Sequence, residues 1–85
     1  MMRAAEILIV LPSIHDILAA EDRVRAARLW VDVLPKPTMI ATDCGMVLGC
    51  LEADLDAFRR VVDAAGGTVL GVYRVVEGGY ELVRP

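Results

Sequence analysis

The side chains best suited to nucleophilic or proton-transfer chemistry are two thiols and one imidazole: Cys44, Cys50 and His15. Cys44 stands in Thr42-Asp43-Cys44-Gly45-Met46, at the end of a polar segment, beside a glycine and just ahead of an apolar run. Most cysteines of small domains lie inside apolar runs and behave as small hydrophobes. Cys44 is instead placed where the backbone can turn and a sulfur can meet solvent. A thiol with that exposure is suited to attack and exchange through its thiolate. Cys50, in the middle of Met46–Leu51, reads as core. A cysteine hydrolase would also need a base and a third group orienting it. With His15 the only imidazole and no orienting partner evident, that chemistry is disfavoured.

The spacing of the thiols limits what they do together. If residues 44–50 form a strand, the two sulfurs are separated by about 20 Å. A disulfide needs Cα atoms within about 7 Å, so an internal bridge is not expected. Two thiols without clustered His or Cys do not complete a structural zinc site either. No metal or cofactor is therefore expected.

The elements that position these groups belong to one domain, residues 1–85, because the chain is too short for two cores. Apolar residues make up 56% of it and aromatics only 5%, so the core must be aliphatic. A mean hydropathy of +0.53 is high for so small a chain, and apolar surface left over after folding points to a homodimer. The net charge is −3, and Arg23, Arg25 and Arg28 are offset by Glu21 and Asp22. No basic stripe marks a nucleic-acid footprint. The early apolar run is too short for a membrane span or signal segment, ending at Pro12 before His15 and Asp16. A cytoplasmic setting, with reduced thiols, is expected.

Ile7–Leu11 reads as a buried strand stopped by Pro12. Ser13 then caps a helix with Asp16 three residues on, close to a capping box. This helix carries Ile14, Ile17, Leu18, Val24 and Ala27 at helical spacing and runs to about Arg28. Trp30–Leu34, stopped by Pro35-Lys36-Pro37, suits an edge strand. Thr38–Asp43 is a loop, and Met46–Leu51 a second apolar strand. Asp54 is placed to cap a second helix with the stripe Leu55, Phe58, Val62 and Ala65, closed by Gly66-Gly67. Thr68–Val76, the turn Glu77-Gly78-Gly79 and Tyr80–Val83 form a terminal hairpin.

The order matches an α+β, ferredoxin-like βαββαβ sandwich with an extra C-terminal hairpin strand. Both helices would cover one sheet face. The strands are apolar on both faces, which predicts that the open face is buried by a dimer or another partner, or in part by the terminal hairpin strand. This topology brings Asp43-Cys44-Gly45 to the same end of the sheet as Ser13. The N–H groups of Ile14, His15 and Asp16 would then lie near the sulfur. A helix N-terminus and a protonated His15 both favour an anion, while Asp43 opposes it. Gly45 would leave the approach uncrowded, and Gly66-Gly67 would shape a rim. His15 in a first helical turn reads more readily as a solvated surface residue.

The ordered set Leu11-Pro12-Ser13-Ile14-His15-Asp16, Val33-Leu34-Pro35-Lys36-Pro37 and Asp43-Cys44-Gly45-Met46-Val47-Leu48 resembles a small bacterial and archaeal family of selenium/sulfur carrier-like proteins. The resemblance covers roughly residues 7 to 75. It implies that Cys44 is the carrier thiol, with Ser13, His15, Asp43 and Gly45 as its surroundings. It further implies sulfur or selenium held as a Cys-bound persulfide or selenosulfide and no turnover chemistry of its own. A cysteine desulfurase and TusA-like or selenium-metabolism proteins would be the partners. Cys50 lies outside the family pattern, and Thr38-Met39-Ile40-Ala41 replaces the Arg and Glu residues common in that loop. The alternative is a non-catalytic ferredoxin-like module that binds a ligand or oligomerises through its open face.

Overall fold

The computed structural model describes residues 3–84, so the outermost three residues of the expected 1–85 domain lie outside it. Five strands form one antiparallel sheet: β1 (Ile7–Val10), β2 (Asp32–Pro35), β3 (Met46–Cys50), β4 (Gly71–Val76) and β5 (Gly79–Arg84), in the order β2-β3-β1-β4-β5. Helix α1 (Ile14–Ala26) follows β1, and α2 (Leu55–Ala64) follows β3 through a short 3₁₀ turn, Glu52–Asp54. This is the expected ferredoxin-like α+β sandwich with its added hairpin strand, and β2 lies at an edge as Pro35 and Pro37 require.

Period-two alternation sorts the strands between two apolar layers. Ile7, Ile9, Leu11, Leu48, Cys50 and Val72 face the helices, where they meet Ile17, Ala20 and Val24 of α1 and Leu55, Phe58 and Val62 of α2. Leu8, Val10 and Val47 point to the other face. On α1 the expected stripe is only partly right: Ile17 and Val24 are buried, while Ile14 and Leu18 are about half exposed. The small Ala20 takes the central position instead.

Both helices end in a Schellman arrangement. In α2 the N–H of Gly67 donates to the Val62 carbonyl and that of Gly66 to Asp63, with Gly66 at φ +81°. In α1 the same two bonds run from Leu29 to Val24 and from Arg28 to Arg25, but the left-handed position is held by Arg28 at φ +63°. Two boundaries differ from expectation. Asp54 makes no side-chain capping bond, because the 3₁₀ turn occupies the place where the cap would act. The third apolar run is a strand only from Gly71, which pairs with Val10; just ahead of it the Leu70 N–H donates to the Val10 carbonyl at 2.8 Å.

The open face is not left to a partner over its whole area. The β2–β3 loop, residues 36–45, folds across it and buries Ile40 against Leu8, Val10 and Val47, with Tyr73 and Tyr80 packed alongside. Part of the apolar character on that side of β1 and β3 is thus spent within the chain. Gly49 of β3 is held equally close: a Cβ there would lie 2.6 Å from that of Ala5. The interior of the face is intramolecular core, and the expectation that the face as a whole awaits a partner is corrected to this extent.

Candidate functional site

The registers place the site residues at one end of the sheet. Pro35 pairs with Met46 across β2 and β3, Ile9 with Leu48 across β1 and β3, and Val10 with Gly71 across β1 and β4. The end of β1, the start of α1, the β2–β3 loop and the start of β4 therefore meet there. The end of α2 meets them too, since Gly66 and Gly67 line a small cleft with Asp16. That cleft lies between α1 and α2, and none of Asp43, Cys44 and Gly45 lines it.

Cys44 itself differs from expectation. It is only 5% exposed and belongs to the buried cluster that includes Leu11 and Ile17. The reason is parity: residues 44, 46, 48 and 50 alternate toward the helices, and Cys44 continues the period of β3 two residues before its first paired position, Met46. Its N–H donates to Thr42 Oγ1 at 3.3 Å, and just beyond it the Lys36 N–H donates to the Gly45 carbonyl at 2.9 Å, closing the neck of the loop. Gly45 is exposed, and a Cβ there would meet nothing within 4 Å, so the way past it is open as expected.

One of the three N–H groups expected near the sulfur, that of Asp16, is already taken by this chain's own cap. Ser13 caps α1: its Oγ accepts from the Asp16 N–H at 3.3 Å, while its hydroxyl donates to the Asp16 carboxylate at 2.9 Å. Asp16 therefore answers the helix dipole, and its N–H is not free for a sulfur anion. His15 is exposed, and among the described residues it shares no hydrogen bond with Cys44. Asp43 is exposed beside the thiol. Ser13, His15, Asp43 and Gly45 thus share one end of the fold with Cys44.

Two groups missed from sequence complete the surroundings. Lys36, with Pro12, Ala41, Thr42, Asp43 and Leu70, lines an open hollow of about 650 Å³ next to Cys44. Ile40 anchors the loop from the other face of the sheet. Its signal was present as an apolar pair, Met39-Ile40, in an otherwise loop-like stretch. Cys50 is a different kind of thiol. It is fully buried in β3, and burial, with Asp54 and Glu6 adding their negative charge, pushes it up to about 12. Among the described residues no group of three or more His, Cys, Asp or Glu side chains is placed to hold a metal ion, and no helix is long and apolar enough to cross a membrane.

No curated protein and no solved structure matches the chain. A family model described as "Putative Se/S carrier protein-like" matches residues 6–74, from the first residue before β1 into β4. That span contains both helices, the β2–β3 loop and Cys44. The chain belongs to the Se/S carrier protein-like family.

Proposed function

We propose that the protein holds sulfane sulfur or selenium on Cys44 and passes it to a partner, without catalysing a turnover of its own. The observation that supports this reading, beside the family itself, is the contrast between its two thiols. Cys50 is locked in a paired central strand and held protonated by burial. Cys44 lies outside the ladder, at the base of a loop, next to the open space at Gly45 and the hollow lined by Lys36. Only Cys44 has a route to exchange chemistry.

Loading is a transfer between thiols with no net redox change. The Cys44 thiolate attacks the terminal sulfur of a donor's cysteine persulfide. A new S–S bond forms on Cys44 as the donor's S–S bond breaks, and the donor cysteine leaves as its thiolate. Unloading is the same step with an acceptor thiolate as nucleophile. Selenium transfers in the same way, as a selenosulfide. A cysteine desulfurase is the donor this chemistry calls for, in a reducing, cytoplasmic setting. A TusA-like or selenium-metabolism protein is the matching acceptor.

Incubation with a cysteine desulfurase and cysteine, followed by peptide mass spectrometry under non-reducing conditions, tests the reading. One added sulfur on the Cys44 peptide and none on the Cys50 peptide is expected. A mass that never shifts overturns it in favour of a binding module. The open face offers such a module a groove of about 300 Å³ lined by Ala5, Leu8, Leu34, Pro35, Pro37, Val75 and Tyr80.

A further inference from the structure

A carrier thiol must be reached by two different partners, yet Cys44 is 5% exposed. The loop that carries it explains how both conditions are met. The chain between β2 and β3 is pinned on opposite faces of the sheet. Ile40, 1% exposed, is inserted among Leu8, Val10 and Val47 on one face, and Cys44 sits in the helix-side core on the other. Only Ala41, Thr42 and Asp43 separate the two, and none of them is buried. Between the closing Lys36–Gly45 bond and the tip turn, in which the Ile40 N–H donates to the Pro37 carbonyl at 3.1 Å, no hydrogen bond ties this loop to another element among the described residues.

We infer that Ile40 is the latch that sets the exposure of Cys44. When Ile40 leaves its pocket, the tether through residues 41–43 slackens. Cys44, which precedes the first paired residue of β3, can then swing out about Gly45 without breaking the sheet. Cys50 stays buried throughout, because it sits inside the ladder with β1. The latch therefore exposes one thiol and spares the other, which separates it from global unfolding. It also shields a loaded persulfide from other thiols until the loop rises. The purpose given to the latch rests on the carrier reading; the latch itself does not.

The test is alkylation of the folded protein with iodoacetamide, following the Cys44 and Cys50 peptides separately by mass spectrometry, in the wild type, Ile40→Val and Ile40→Ala. Removing most of the anchoring side chain should raise the Cys44 labelling rate at least about tenfold in Ile40→Ala, with Ile40→Val in between and the Cys50 rate unchanged. Equal acceleration of both thiols would mean that Ile40 only stabilises the whole fold, and an unchanged Cys44 rate would mean that Ile40 does not restrain it. Either result overturns the latch. If Ile40→Ala does not fold, Ile40→Val alone decides by the same ratio of the two rates. A latch that behaves as described on a protein that never gains sulfur would refute the carrier reading instead, so the two failures are distinct.

Discussion

The clearest quantitative consequence of the structure concerns alkaline pH and Cys50. Burial in β3 is the main cause of its raised value, with the Asp54 and Glu6 carboxylates adding to it, and it moves from an ordinary 9.0 to about 12 in the folded chain. The folded state therefore holds this proton over a range where the unfolded chain has released it. The stabilising contribution is intact below about pH 9 and is lost as pH rises through about 12. Within that window each pH unit removes about 1.4 kcal/mol. Between about pH 8 and about pH 10.5 the loss is about 2 kcal/mol, a large share of the 5–15 kcal/mol typical of a domain. Urea unfolding at the two pH values would read it as a fall in midpoint of about 1–2 M, for a slope of about 1–2 kcal/mol/M. To isolate the contribution of this one thiol, the quantity to read is the difference between wild type and Cys50→Ala. That difference should shrink by about 2 kcal/mol on going to the higher pH, because the variant has no thiol to deprotonate on unfolding. Parallel pH profiles for the two proteins would refute the assignment of a buried, proton-holding thiol to Cys50.

Two further perturbations test the elements around the site. Ser13→Ala removes the acceptor for the Asp16 N–H and the donor to its carboxylate. It should cost about 1 kcal/mol in urea unfolding, and an unchanged midpoint would mean that the cap is idle. Arg28→Gly relieves a left-handed residue at φ +63° at the end of α1, and should raise stability by about 0.5–1 kcal/mol in thermal unfolding. A loss of stability there would show that the Arg28 side chain contributes more than its backbone costs.

Much of the architecture was legible because it rests on local pattern. The stop at Pro12, the Ser13 cap and the Gly66-Gly67 terminus are each decided within a few residues and appear where expected, as does the α2 stripe at Leu55, Phe58 and Val62, though Ala65, expected with them, is exposed at the helix end. The βαββαβ order then left few topologies, and the antiparallel pairing of β1 with β3 brought Cys44 and the start of α1 to the same end of the sheet. The errors have an equally specific origin. Ile14 and Leu18 fit the α1 stripe by spacing yet face outward, because the angle at which a helix lies on a sheet is set by the whole interface. The N–H of Asp16 was counted as free, although the Ser13 cap recognised in the same stretch consumes it.

The sequence alone determined which thiol is outside the core strand, which segments pair, and which end of the domain Cys44 shares with Ser13 and His15. Those features follow from side-chain period, proline and glycine stops, and chain connectivity. Only the tertiary structure decided that Cys44 is buried and that a distant-facing isoleucine shares its loop. Ile40 is buried by surfaces brought together from β1, β3, β4 and β5, and Cys44 by the helix-side core with α1 and α2, and no local window contains them. A loop with polar ends looks solvent-exposed when read by itself. Once the sheet exists, an apolar face lies within its reach, and the gain from covering that face, about 1.5–3 kcal/mol for one isoleucine, draws the loop down with its thiol.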